Sequence, residues 1–146
     1  MGRTVRKKPR AQHIHRDDVK FVELLMSAHA EYNGRLFGGV LKGVQIRISR
    51  RMKNRLGHYM AAGHGLEAEI AMSRKHIAHD VWDDVLHTFV HEMVHQWQDE
   101  NGHALDHGLS FRRKAREIGI SARATRPAAP SSQPRLAARA MHRPKS

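Results

Sequence analysis

The segment DVWDDVLHTFVHEMVHQWQDENG, residues 80–102, decides how the chain is read. Its apolar residues Val81, Val85, Leu86, Phe89, Val90, Met93, Val94 and Trp97 recur every three or four positions, the repeat of an amphipathic helix. Asp80 stands where an N-cap belongs, and Asn101 with Gly102 is a favoured C-terminal pair, so the spacing predicts a helix between them. Within it, His91 and His95 are four apart and share one face about one turn apart. Both imidazoles can therefore reach a single ion at roughly 2.0–2.1 Å from each nitrogen. Glu92 lies about 100° round the helix beside them, where it can hold a water by hydrogen bond without ligating the metal. That is the position a general base needs.

The chain has 13 histidines among 146 residues, so accident has to be weighed. Its composition gives roughly 0.05 chance occurrences of two His and one Glu at this spacing, which makes accident a weak rival. A harder rival is the row His87, His91 and His95, which would fit a solvated histidine face. Positions 87 and 95 are about 12 Å apart along a helix, however, so that outer pair cannot share an ion and His87 falls outside the ligand set. A zinc site with two ligands from one helix needs a third from elsewhere and an open position. Beyond Gly102 a second short helix fits Phe111, Ala115 and Ile118, and His107 with Gly108 stands at its entrance. His107 is the better placed third ligand and His103 its competitor. Asp99 and Glu100 are poorer, because they continue along the helix away from His91.

The stretch HEMVHQWQDENGHALDHGLSFRRKAREIG, His91 to Gly119, resembles the active-site region of SprT-like metalloproteases. Those proteins carry HExxH, a variable connection, and then a His-Gly-x-x-Phe or similar motif, matched here by His107, Gly108, Leu109, Ser110 and Phe111. Upstream, Tyr32 to Leu41 followed by Val44 to Ser49 is similar to the family's opening segment, so the likeness covers about residues 17–119. The resemblance implies one Zn2+ held by His91, His95 and His107, with Glu92 as catalytic base. It implies an α+β, zincin-like metalloprotease domain and a peptidase tied to DNA-associated proteolysis. The chain departs from many members in having no cysteine, so the cysteine zinc ribbon that often follows the protease domain is not expected among these residues. The same lack excludes a deformylase-type cysteine ligand, and the His95 to His107 spacing does not fit the metzincin pattern.

The coarse order reads helix, strand, loop, strand, helix, short helix. The first helix is expected from Asp17 or Asp18 as cap to Gly34, with Phe21, Leu24, Leu25, Ala28 and Tyr32 on one face. Val44, Ile46 and Ile48 alternate with polar residues, and so do Leu66, Ala68, Ile70 and Met72, which predicts two half-buried strands paired as a small antiparallel sheet. Between them Gly57, Gly63 and Gly65 suggest a flexible connection bordering the cleft. His58 and His64 in that connection are given no catalytic role, because exposed loop histidines are common in so His-rich a chain.

The net charge of +12 conceals its distribution. Residues 1–16 hold Arg3, Arg6, Lys7, Lys8, Arg10 and Arg16 with no acid, a basic N-terminal arm. Residues 120–146 hold Arg123, Arg126, Arg135, Arg139, Arg143 and Lys145 with no acid, and their Pro, Ala and Ser content predicts a disordered basic tail. Residues 17–119, the expected domain, carry 14 Lys and Arg against 14 Asp and Glu and are formally neutral. Two cationic arms on a neutral body suggest non-specific attraction to nucleic acid, weakening as salt rises. Arg47, Arg50, Arg51, Lys53 and Arg55 form a tighter cluster that could contact phosphate, although it has no interleaved aromatics to stack bases. No apolar run approaches a membrane span and no signal peptide is evident, so a monomer in the cytoplasm or on the nucleoid is expected. The leading function is a zinc endopeptidase acting on DNA-bound protein. The alternatives are a nucleic-acid-binding or transcription-associated protein with a structural zinc site, and a metal hydrolase of another substrate such as nucleic acid.

Overall fold

The computed structural model describes residues 14–121. The expected disorder of residues 122–146, and most of the basic N-terminal arm, lie outside the described residues. A 3-10 turn at Arg16–Asp18 leads into α1, Val19–Leu36, which buries Phe21, Val22, Leu25, Ala28, His29 and Tyr32. Asp18 precedes the helix as expected, but its side chain makes no capping hydrogen bond. Its buried carboxylate instead accepts from Arg50 (Nε 3.2 Å, Nη2 3.0 Å) and from Arg74 (Nε 2.8 Å). Charged donors of this kind are stronger partners than a backbone N–H. The helix also runs through Gly34, its expected end, to Leu36. It stops where Gly38 and Gly39 adopt positive φ of 66° and 77°, a conformation open to glycine.

The sheet corrects the antiparallel expectation. Its order is β1 (Gln45–Ser49), β3 (Glu69–Ser73), β2 (Gly57–Met60), with β1 and β3 parallel and β2 antiparallel to β3. The segment expected as a flexible connection contains β2, which takes one edge of β3 and leaves β1 the other. Ile46 pairs with Ile70 and Ile48 with Met72 across the parallel ladder. Residues 50–68 are long enough for the crossover that a parallel pair requires. Because β3 is central, Ala71 and Ser73 are buried along with Ile70 and Met72, and the expected alternation of exposed and buried positions is lost.

A short helix that sequence reading misses, α2 (Arg74–His79), follows β3 directly, with the Ser73 hydroxyl accepting from the His76 N–H at 3.2 Å. Asp80 is not the cap of the next helix. Its carboxylate accepts from the Nδ1–H of buried His76 at 2.6 Å, and His76 Nε2 accepts from the Thr88 hydroxyl at 2.9 Å, which pins α2 to the following helix. That helix, α3 (Trp82–Glu100), starts from Val81, with Asp83 and Asp84 in its first turn where the helix dipole favours negative charge. It ends at Asn101 with Gly102 at φ 78°, as the sequence suggests. Every residue from Val85 to Val94 is buried, because β2, β3, α1, α2 and the last helix, α4 (Leu109–Ile118), all pack around α3. Among the described residues no helix is long and apolar enough to cross a membrane.

Candidate metal centre

The burial of α3 sets the site. His91 and Glu92 are enclosed by the core, while His95, one turn on, is half-buried at the edge of a cleft of about 430 Å³. The third histidine arrives by a turn that α3 itself holds. Gln98, fully buried, donates from Nε2 to the Asp106 carbonyl (3.0 Å) and to Ser110 Oγ (3.0 Å), tying the connection to the start of α4. The Asp106 carboxylate accepts from the Gly108 N–H at 3.0 Å, a local turn that delivers His107 toward α3. The Phe111 ring lies under all three imidazoles, with centroid distances of 4.6 Å to His91, 4.8 Å to His95 and 4.9 Å to His107.

The three ring nitrogens converge. His107 Nε2 is 3.1 Å from His91 Nε2 and 3.2 Å from His95 Nε2, and the three ligand atoms all lie within 4.8 Å of one another. His95 Nδ1 donates to Gln98 Oε1 at 2.8 Å, so its Nε2 carries a lone pair and not a proton. Ring nitrogens brought this close need either a shared proton or a cation among them. Tetrahedral zinc at 2.0–2.1 Å from each nitrogen would space its ligands about 3.3–3.4 Å apart, close to the separations present. The donor set therefore fits a metal ion. Burial lowers the pKa of His95 and the neighbouring His107 adds to this, while the bond to Gln98 opposes it. A neutral ring is the form that ligates.

Glu92 sits beside this trio with 6% of its surface exposed, and burial pushes its pKa up to about 8. Arg55 and the Tyr59 backbone N–H, which donates to the carboxylate, partly oppose that shift. Tyr59 is fixed in turn, since its hydroxyl donates to Asp99 of α3 at 2.7 Å. Gly57 lets β2 approach closely: a Cβ there would lie 3.0 Å from Thr88 Cγ2, 3.1 Å from Met72 Sδ and 3.2 Å from Glu92 Cγ.

The remaining sequence candidates are scattered. His87 is buried away from the cluster and accepts from the Ser121 N–H at 3.3 Å. His103, the rival third ligand, stacks on Trp97 with ring centroids 5.1 Å apart and takes no part in the trio. The five basic residues 47–55 do not form one patch. Arg47 is bound to Glu69 at 2.7 Å and Arg50 to Asp18, and these two with Arg51 line a groove of about 560 Å³ beside β1. Lys53 is exposed, and Arg55 lines the histidine cleft together with His58. Sequence reading misses Gln98, Tyr59 and the placement of His58. Gln98, three residues after His95 on a predicted helix, carried the only usable signal, because that spacing brings two side chains together.

In comparison with known families, the chain matches the SprT-like family over residues 25–132. No curated protein matches the chain.

Proposed function

The chain belongs to the SprT-like family, and from that premise we propose that it is a zinc-dependent endopeptidase acting on proteins bound to DNA. One observation carries the reading: three imidazole Nε2 atoms meet beside a buried, hydrogen-bonded carboxylate at the wall of an open cleft. His91, His95 and His107 would hold the ion. When bound, Zn2+ supplies a Lewis acid for the scissile carbonyl and lowers the pKa of a water toward 7. Glu92, aimed by the Tyr59 N–H, takes the proton of the attacking water and returns it to the leaving amine. Gln98 holds His95 in the ligating tautomer and carries the loop that bears His107. β2 is an edge strand on the wall of this cleft, and an extended peptide can add to such an edge through main-chain hydrogen bonds.

The DNA-bound substrate is supported by charge. The terminal segments 1–16 and 120–146 each carry six cations and no acid, against a neutral 17–119, so the chain attracts polyanions at its ends and leaves the cleft uncommitted. The test is zinc content together with cleavage of a DNA-binding protein, with and without single-stranded DNA, in the parent and in Glu92→Gln. Stoichiometric zinc in both, with cleavage in the parent alone and faster with DNA, is the expected result. Turnover in the variant should fall by at least about 10²-fold. Zinc without cleavage under any condition would favour a nucleic-acid-binding protein with a structural metal, and parental turnover in Glu92→Gln would remove that residue's role.

A further inference from the structure

His58 lies on β2, next to the residue whose backbone holds Glu92, and lines the same cleft as His91, Glu92 and His95. It is half-buried, yet it is not one of the three histidines whose ligand atoms converge. Its Nδ1 is 2.6 Å from Arg55 Nη1. A guanidinium has donors only, so Nδ1 must accept and the ring proton must sit on Nε2. No described residue takes that Nε2–H. We propose that His58 is a further catalytic residue of this cleft, a neutral imidazole whose Nε2–H donates to the oxyanion that develops on the scissile carbonyl. This rests on the peptidase reading above.

The ring's surroundings favour that state. Burial lowers its pKa below the ordinary 6.5, Arg55 and Arg47 lower it further, and Glu69 opposes them; His95 and Glu92 line the same cleft. In the reaction, water oxygen adds to the carbonyl carbon, and the carbonyl π pair moves onto oxygen. His58 would hold that oxygen by hydrogen bond. When the pair returns, the C–N bond breaks, and the amine leaves with the proton that Glu92 took from the water. A hydrogen-bond donor to the developing oxyanion is worth about 10²–10³ in kcat. Arg55 acts on this step through His58, as a positioning residue that fixes the tautomer.

Two measurements on the full chain test the assignment. Proton-nitrogen NMR of the histidine rings in the metal-free protein should show His58 as the Nε2–H tautomer, and Arg55→Met should convert it to a mixture. In the zinc-loaded protein, His58→Ala should keep stoichiometric zinc and KM. It should lose about 10²-fold in kcat and a similar factor in affinity for a peptide phosphonamidate, an analogue of the tetrahedral species. His58→Gln, which keeps a donor, should recover part of both. An Nδ1–H ring in the parent, or a His58→Ala variant with parental kcat and phosphonamidate affinity, overturns the role of His58 alone. A parent that binds zinc but neither cleaves peptide nor binds the phosphonamidate overturns the peptidase reading beneath it.

Discussion

Glu92 is placed where it is poor for stability and good for chemistry. Its pKa of about 8 in the fold stands against about 4.5 when exposed. Between those values the folded chain keeps a proton that the unfolded chain has released, so folding becomes less favourable as pH rises through that window. The effect at pH 8 is on the order of a few kcal/mol. In the presence of a chelator, Glu92→Gln should therefore melt higher than the parent, with an advantage that is small near pH 5 and grows toward pH 8. A difference that stays flat with pH would mean the carboxyl is ionised throughout. Gln98 works at the same scale. It satisfies His95 Nδ1, the Asp106 carbonyl and Ser110 at once, so Gln98→Ala frees both a ligand's tautomer and the loop of another ligand. Zinc affinity should drop about 10–100-fold, measured by competition with a chromophoric chelator, and an unchanged affinity would show that the histidines need no such support.

β2 decides the element scale, and Gly57 is its critical residue. An alanine there meets Thr88, Met72 and Glu92 at 3.0–3.2 Å. Met72 can bend away, but Thr88 is tied to His76 and Glu92 to Tyr59, so β2 must move off α3. Gly57→Ala should cost about 1–3 kcal/mol in thermal or denaturant unfolding. It should also cut turnover on the order of 10²-fold through misplacement of Glu92, with zinc content intact. Full activity would mean that the strand tolerates the shift. This strand is also where the sequence was least legible. Helices α3 and α4 were readable because their apolar residues repeat over three to five turns and their ends carry Gly102 and Gly119. Gly57 to Met60 is four residues with a glycine and a histidine, too short to show a period, and its fold comes from the free edge of β3. The same absence hid α2, a six-residue helix held by Ser73 and Asp80. With β2 unseen, β1 and β3 looked like consecutive strands of a hairpin, and His58 looked like a loop residue. The grouping of His91, His95 and His107 was legible from spacing and from the His-Gly motif, whereas the contacts of Gln98 and Tyr59 around it are tertiary and no local pattern encodes them.

At the scale of the whole molecule, charge is divided between the ends and the middle. Inside the described residues the most buried acid, Asp18, already binds Arg50 and Arg74, and Glu69 holds Arg47, so much of the internal basic cluster is compensated. The twelve cations of residues 1–16 and 120–146 lie in segments that contain no acid. If nucleic acid is held by those segments, each neutralised phosphate releases counterions, and the slope of log affinity against log salt should approach about −0.7 per contact on a single strand. Replacing Arg3, Arg6, Lys7, Lys8 and Arg10, together with the six cations of residues 120–146, by glutamine in the full chain should flatten that slope toward zero. Replacing Arg51 and Lys53, two exposed members of the internal cluster, should change it by no more than about 1–2. The opposite pattern, with the slope surviving loss of the terminal charges and collapsing with Arg51 and Lys53, would move the nucleic-acid contact onto the groove beside β1. Neither set of replacements touches the metal trio or Glu92, so cleavage of a free peptide should be unchanged in both. Only cleavage of a DNA-bound protein should follow the loss of binding, which separates recruitment from chemistry.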